Sequence, residues 1–202
     1  MKQNKVKNST KLFFSGVVVL TVANLLVKAI GLLFKIPMNK VVGDTGMGYY
    51  TSAYTIYTFF YMISTSGLPI AVSILISESR TKGQLRQIKK IFRTTVALFF
   101  AIGLVGMLAM IFGADSFASM LKASPTSACI MAIAPTLFFI CISSALRGYF
   151  QGFQQMVPTA VSELIEALCK LAVGIVLALY AIDQNYPIHI VAAYAAFGLT
   201  IG

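Results

Sequence analysis

Charged residues are scarce in this sequence. Only 11% of its 202 residues are Asp, Glu, Lys or Arg, whereas 58% are apolar. A soluble domain usually carries about 25% charged residues, so this chain has too few to cover a water-exposed surface. Its high hydrophobicity also excludes a disordered chain. The composition predicts a protein of the lipid bilayer.

Cysteine and histidine are too few to form a disulfide framework or a metal site. The single histidine, His189, has no cysteine or carboxylate set around it in the sequence. Three cysteines are scattered through apolar runs and are interpreted as small apolar residues: Cys129, Cys141 and Cys169. The signatures H-E-x-x-H, G-x-S-x-G and Walker A do not occur. We expect no metal, no cofactor and no enzymatic activity.

Acidic residues are outnumbered by basic ones. Six Asp and Glu stand against sixteen Lys and Arg, which gives a formal net charge of +10. Positive charge is typical of nucleic-acid binding, but in a chain this apolar it more often sets orientation against an anionic leaflet. With the N-terminus inside, eleven basic residues fall in cytoplasmic segments and two in outer loops. This bias predicts a multi-pass protein of the cell membrane with a cytoplasmic N-terminus and no nucleic-acid partner.

Six apolar runs are candidates for membrane-spanning helices, which need about 20 residues each. They are residues 11–36, 50–76, 94–112, 127–146, 159–182 and 188–202. The last run is still apolar at the end of the sequence, so we expect a longer protein whose C-terminal half is missing here. Residues 77–93 are expected to form a basic cytoplasmic loop, or a helix lying flat on the inner leaflet. The expected fold class is an all-α, polytopic helical bundle.

A polar stripe follows the first span. Thr21, Asn24, Lys28, Gly31 and Lys35 recur at spacings of three and four, so they share one helix face. A Lys near the centre of a spanning helix costs about 2.5–3.5 kcal/mol, and such a stripe favours a wet cavity or polar partners over lipid. Asn24, Lys28 and Lys35 are therefore candidate substrate contacts. Alternatively, Lys35 reaches the outer headgroups and Lys28 pairs with a buried carboxylate.

Tyrosines occupy one face of the second span, at positions Tyr50, Tyr54, Tyr57 and Tyr61. A tyrosine offers a flat ring and a hydroxyl, which suit sugars, but tyrosines near a membrane interface are also ordinary belt residues. We include Tyr57 among the candidate contacts and expect packing roles for most of the others. The run 64–69 (STSGLP) predicts a break in this span, because Pro69 cannot donate to the helical ladder.

Charged residues recur in the fourth and fifth spans. Glu163, Glu166 and Lys170 lie at i, i+3 and i+7, so Glu166 and Lys170 are spaced to neutralise each other on one helix face. Alternatively, Glu166 is a counter-ion for Lys28 or a proton-sensitive group. Arg147 ends the fourth span, where it is either a topological anchor or a site for a phosphate. Arg147 and Glu166 complete the set of candidate substrate-binding residues.

Four segments carry a family resemblance. They are residues 28–37 (KAIGLLFKIP), 43–48 (GDTGMG, otherwise interpreted as a flexible outer turn), 66–73 (SGLPIAVS) with Ser77 and Glu78, and 147–152 (RGYFQG) before Pro158 and Thr159. Together they resemble the oligosaccharide flippase branch of the MOP superfamily, in particular the stage V sporulation protein B group, which is related to the MurJ lipid II flippases. The resemblance covers most of the chain but only the first half of such a protein.

The resemblance implies the first lobe of a MATE- or MurJ-like transporter, which moves a lipid-linked sugar diphosphate, such as an undecaprenyl-diphosphate-linked precursor, by alternating access. It also implies that first-helix cations meet the diphosphate, and Lys28 and Lys35 occupy that region, although they stand where arginines are usual in MurJ and their spacing differs by one. Two alternatives remain. A MATE-type drug or cation antiporter would need acidic cavity residues, and a membrane assembly subunit would transport nothing.

Overall fold

The computed structural model of the chain describes residues 2–65 and 67–201, with side chains described from residue 16 onwards. Six helices account for the regular structure of this part: α1 (Lys2–Thr65), α2 (Leu68–Thr81), α3 (Leu85–Met120), α4 (Thr126–Gly152), α5 (Val157–Asp183) and α6 (Ile188–Ile201). The all-α class is confirmed. The side chains of the N-terminal lysines and the last residue of the run 188–202 lie outside the described part.

Helix α1 is two helices that meet at Gly43. Gly43 has φ 72° and ψ 174°, which is outside the helical region, and the residues on both sides of it are helical. Residues 43–48 were expected to form a flexible turn, and the structure corrects this prediction. The helices continue up to Gly43 because apolar side chains around it find a buried position: Val42 is 1% exposed and Met47 is 8% exposed. We refer below to the first and second segments of α1.

The second segment ends at the predicted break. Helix α1 stops at Thr65 and α2 starts at Leu68, with Gly67 between them in a left-handed conformation at φ 77°. Pro69 lies in the first turn of α2, where its missing N–H leaves no helical bond unmade. The Thr65 hydroxyl donates to the carbonyl of Tyr61 at 2.7 Å and so satisfies one acceptor near the break.

Residues 77–93 are helical except for a short turn. Helix α2 runs to Thr81, and α3 starts at Leu85 and continues without interruption to Met120. The stretch is therefore not an irregular loop. Its cytoplasmic position, and the alternative that it lies on the inner leaflet, stay predictions. Ile88 is 4% exposed and packs with the second core cluster of the protein, which ties this stretch to the bundle.

Helix α4 lies at the centre of the bundle. Ile130, Ile133 and Leu137 are fully buried, whereas outward-facing residues such as Val105 and Phe112 are 66% and 82% exposed. Apolar side chains on the outside are what a bilayer would cover. Four stretches are long and apolar enough to cross a membrane: Gly16–Thr81, which contains the kink at Gly43 and the break at Gly67, Leu85–Met120, Thr126–Gly152 and Val157–Asp183. The chain is therefore a multi-pass membrane protein.

Candidate functional site

A cavity of about 590 Å³ lies between α1 and the α4–α5 pair. Both segments of α1 form one side of it, α4 and α5 form the other, and Leu199 of α6 closes part of the wall. Most of the wall is apolar or aromatic. Five charged side chains interrupt it: Lys35, Arg147, Glu163, Glu166 and Lys170.

Glu166 is the centre of a cluster of charges in this wall. Its Oε2 accepts a hydrogen bond from Nη2 of Arg147 at 2.6 Å, and its Oε1 accepts one from Nζ of Lys170. The Nε of Arg147 also donates to the Ser162 hydroxyl at 3.2 Å. The side chains of Arg147 and Glu166 are only 15% and 19% exposed. A charge-assisted bond between groups so poorly hydrated is stronger than a surface ion pair.

Two local features hold the cluster in place. Ser162, Glu166 and Lys170 follow each other at intervals of four on α5, so their side chains stack along one face. Gly148, the residue after Arg147, lies where α4 packs closely against α2. A Cβ added to Gly148 would lie 2.9 Å from the carbonyl oxygen of Pro69, so only glycine lets the backbones of α4 and α2 approach this closely.

One carboxylate oxygen of Glu163, at the edge of this cluster, receives no hydrogen bond from the described residues. The Oε1 of Glu163 lies 3.9 Å from Nη1 of Arg147, beyond hydrogen-bond distance. Its Oε2 is buried and has no hydrogen-bond partner among the described residues. A buried carboxylate oxygen without a donor is unfavourable, so this position favours a proton, a cation or the donor group of a ligand.

A row of tyrosines faces the charges from the second segment of α1. Tyr50, Tyr54, Tyr57 and Tyr61 all line the cavity. Their successive ring centroids are 6.2, 5.7 and 5.9 Å apart, so the rings form a continuous ladder along the helix. Tyr57 is 5% exposed and packs into the wall, whereas Tyr54 is 43% exposed. The ladder gives the cavity an aromatic side opposite its ionic side.

Five of the six residues predicted from the sequence line this one cavity: Asn24, Lys35, Tyr57, Arg147 and Glu166. The spacing of Glu166 and Lys170 correctly predicted their pairing, and Arg147 shares the same carboxylate. Among the described residues, Glu166 forms ion pairs with Arg147 and Lys170 but none with Lys28. That the side chains of these five lining residues bind a substrate stays a prediction.

Lys28 is not among the lining residues, although its side chain is exposed like that of Lys35. At 100° per residue it lies about 20° further around the helix than Lys35, and the cavity is centred on the opposite side of Lys35. The polar stripe therefore predicted the correct helix, but the cavity lies nearer to Phe34 and Val27. Sequence reasoning gave Glu163 no binding role, although its position three residues before Glu166 places both on one face.

Comparisons with known proteins bear on what such a cavity serves. A family described as "Polysaccharide biosynthesis protein" matches residues 13–202. The lipid II flippase MurJ of Bacillus subtilis (strain 168) is 29% identical over 198 residues, which cover 93% of this chain and 36% of that protein. Stage V sporulation protein B of the same organism is 29% identical over 161 residues, which cover 79% of this chain and 31% of that protein.

The chain thus spans about one third of the length of these curated relatives. A third relative, the uncharacterized membrane protein YabM of Bacillus subtilis (strain 168), is 26% identical over 189 residues and is covered to 35%. No solved structure matches the chain significantly.

Proposed function

We propose a function for this chain from the premise that it belongs to the polysaccharide biosynthesis protein family. The resemblance to flippases drawn from the sequence is confirmed for this family by relatives named as a lipid II flippase and a sporulation protein. We infer that the chain contributes to a cell-membrane flippase with a cytoplasmic N-terminus, which translocates a lipid-linked oligosaccharide or peptidoglycan precursor by alternating access. The cavity would receive the diphosphate and the sugar.

The observation that carries this proposal is the charge of the cavity wall. Three cations, Lys35, Arg147 and Lys170, face two carboxylates, Glu163 and Glu166. One positive charge is left over. An anionic headgroup would therefore neutralise the charge that the two carboxylates leave uncompensated.

Lys35 is the cation best suited to receive the headgroup. The structure records an ion pair for Arg147 and for Lys170, but none for Lys35 among the described residues. A Lys ammonium carries three donors and attracts a phosphate as a point charge. The tyrosine ladder faces the same space and offers rings and hydroxyls to a sugar attached to the diphosphate.

A second candidate is a MATE-type drug or cation antiporter, which Glu163 favours. Its buried Oε2 has no partner among the described residues and would suit a cation or a proton. In this case the two carboxylates, rather than Lys35, would be required for activity. The same set of variants distinguishes the two functions.

The test compares two lysines of α1 that differ in their relation to the cavity. Lys35→Gln removes a cation that lines the cavity, and Lys28→Gln removes a lysine seven residues earlier on the same helix that does not line it; both side chains are exposed. Each variant is made in the protein as expressed from its gene. Binding of undecaprenyl diphosphate is measured on purified protein, and rescue of a strain lacking its own lipid-linked-precursor flippases is scored at equal expression.

For a flippase, Lys35→Gln weakens undecaprenyl diphosphate binding by about ten- to a hundredfold and abolishes rescue, because a charged hydrogen bond contributes about 1.5–3 kcal/mol. Lys28→Gln leaves both properties near the unmodified level. Equal effects of the two substitutions would contradict the assignment of Lys35. Unchanged rescue by Lys35→Gln would contradict the role of Lys35. Failure of the unmodified protein to rescue, together with cationic dye export that Glu163→Gln abolishes, would favour the antiporter, and no transport of either ligand would favour an assembly subunit.

A further inference from the structure

Four cations share the exposed face of the first turns of α3. Arg86, Lys89, Lys90 and Arg93 are spaced at i, i+3, i+4 and i+7, so they fall within one arc of the helix. All four are exposed, whereas Ile88, on the opposite face, is 4% exposed. We call this set the basic collar. It lies outside the cavity described above.

The length of α3 places the collar at the level of lipid headgroups. At 1.5 Å per residue, its 36 residues extend about 54 Å, whereas the hydrocarbon layer is about 30 Å thick. Residues 94–114 contain no charged side chain and cover about 31 Å, which is the thickness of that layer. Arg93 therefore lies at the hydrocarbon boundary. Arg86 lies about 10 Å further out, so the collar extends across the headgroup region.

The collar has no countercharge in the described part of the chain. None of its four residues takes part in an ion pair there, and Glu78, the acidic residue closest in sequence, is bonded to Lys82 at 2.6 Å. The first turn of α3 contains no acidic residue. Like charges at these spacings destabilise a helix, and the positive end of the helix dipole adds to the repulsion. An external anion would relieve it.

The collar is also fixed against the rest of the bundle. The ring of Phe92 lies 4.7 Å from the ring of Tyr149 on α4, and Tyr149 in turn contacts Phe153 at 4.9 Å. Arg80 donates to the carbonyl of Phe153 at 2.7 Å, which joins the end of α2 to the same place. The four cations are thus presented by a braced helix end rather than by a free loop.

We propose that the basic collar is a binding site for the headgroups of anionic phospholipids. Its charge is complementary to a phosphate diester, and its depth matches the headgroup layer. Phe100 lies two helical turns after Arg93 on the same face of α3 and is 48% exposed, at the level where an acyl chain would lie. The inference does not depend on the proposed transport function, because no collar residue lines the cavity.

The absence of tryptophan from the chain allows a direct test, since a single introduced Trp is the only indole fluorophore. Phe100→Trp places it below the collar. Phe112→Trp places it near the other end of the same helix, at a residue that is 82% exposed. Each protein is reconstituted in vesicles of equal parts phosphatidylcholine and phosphatidylglycerol, with bromine on the acyl chains of one lipid at a time, and quenching is compared.

At Phe100→Trp, phosphatidylglycerol is expected about fivefold enriched over phosphatidylcholine, since one cation near an anionic surface contributes about 1 kcal/mol. At Phe112→Trp, the two lipids quench nearly equally. Neutralising the collar by R86Q, K89Q, K90Q and R93Q brings the Phe100→Trp probe to parity while the Phe112→Trp signal stays the same, which verifies insertion. High salt reduces the preference in the chain with its collar intact. Equal quenching by the two brominated lipids at the Phe100→Trp probe, or a preference for phosphatidylglycerol that survives neutralisation of the collar, would overturn the proposal.

Discussion

The bond between Arg147 and Glu166 should make a measurable contribution to the stability of the bundle. Two opposite charges about 4 Å apart interact by about 4 kcal/mol at an effective dielectric constant of about 20. Part of this gain is offset by the loss of hydration of the two groups, which are 15% and 19% exposed. Because hydrogen bonds to charged groups contribute about 1.5–3 kcal/mol net, we expect a coupling free energy of about 2 kcal/mol.

The assay is a double-mutant cycle on the free energy of unfolding. The unmodified protein, the two single variants Arg147→Gln and Glu166→Gln, and the double variant are compared. Each is unfolded in mixed micelles by raising the mole fraction of a denaturing detergent, and its helix content is followed by circular dichroism. Each single variant leaves the other charged partner at low hydration without its counter-ion. The losses in unfolding free energy of the two single variants should therefore add up to more than the loss in the double variant, and the difference is the coupling free energy. Lys170 still pairs with any carboxylate left at position 166, which makes Arg147→Gln the milder single change.

A matched control exists within the chain. Lys82 and Glu78 are bonded at the same 2.6 Å, but their side chains are 58% and 56% exposed. Water and salt screen such a pair, so its cycle should show a far smaller coupling than that of Arg147 and Glu166. Equal coupling in the two cycles, or coupling below about 0.5 kcal/mol at Arg147 and Glu166, would refute the argument that low hydration strengthens the cavity cluster.

Two further predictions concern backbone positions that require glycine. Gly148→Ala places a methyl group 2.9 Å from the carbonyl oxygen of Pro69 and is expected to destabilise the protein by about 1–3 kcal/mol. In contrast, Gly48→Ala has nothing within 4 Å of its new Cβ and should stabilise the helix by about 0.5–1 kcal/mol; equal melting temperatures for the two variants would contradict the close contact. Gly67→Ala forces a side chain into a left-handed conformation at φ 77° and is expected to lower the free energy of unfolding by about 1–2 kcal/mol, and an unchanged melt would show that the break tolerates another geometry.

The sequence predicted the class of the fold because hydropathy and helix length are local properties. Long apolar runs can only cross a bilayer as helices, and the break near Pro69 follows from its missing N–H. The pairing of Glu166 with Lys170 was predictable for the same reason, since both lie on one helix at a spacing of four. Each of these features is decided within a few residues.

What the sequence did not predict depends on contacts between helices. Arg147 reaches Glu166 across the α4–α5 interface, and no spacing rule links residues on different helices. The stretch before Arg93 looks like a loop from its charges, yet Ile88 holds it in the bundle. Lys28 lies on the correct helix but just outside the cavity, because rotation of a helix about its axis is set by its neighbours.

The segment 147–152 combines close packing against α2 with a charged group of the cavity. Gly148 and Gly152 admit the α2 backbone at Pro69 and Ser73, and Arg147, adjacent to the first of them, holds the ionic group of the cavity. The position of the Arg147 guanidinium therefore depends on the packing of α2 against the next residue, Gly148. A displacement of α2 along this contact would therefore move the Arg147 guanidinium and change the electrostatic field inside the cavity.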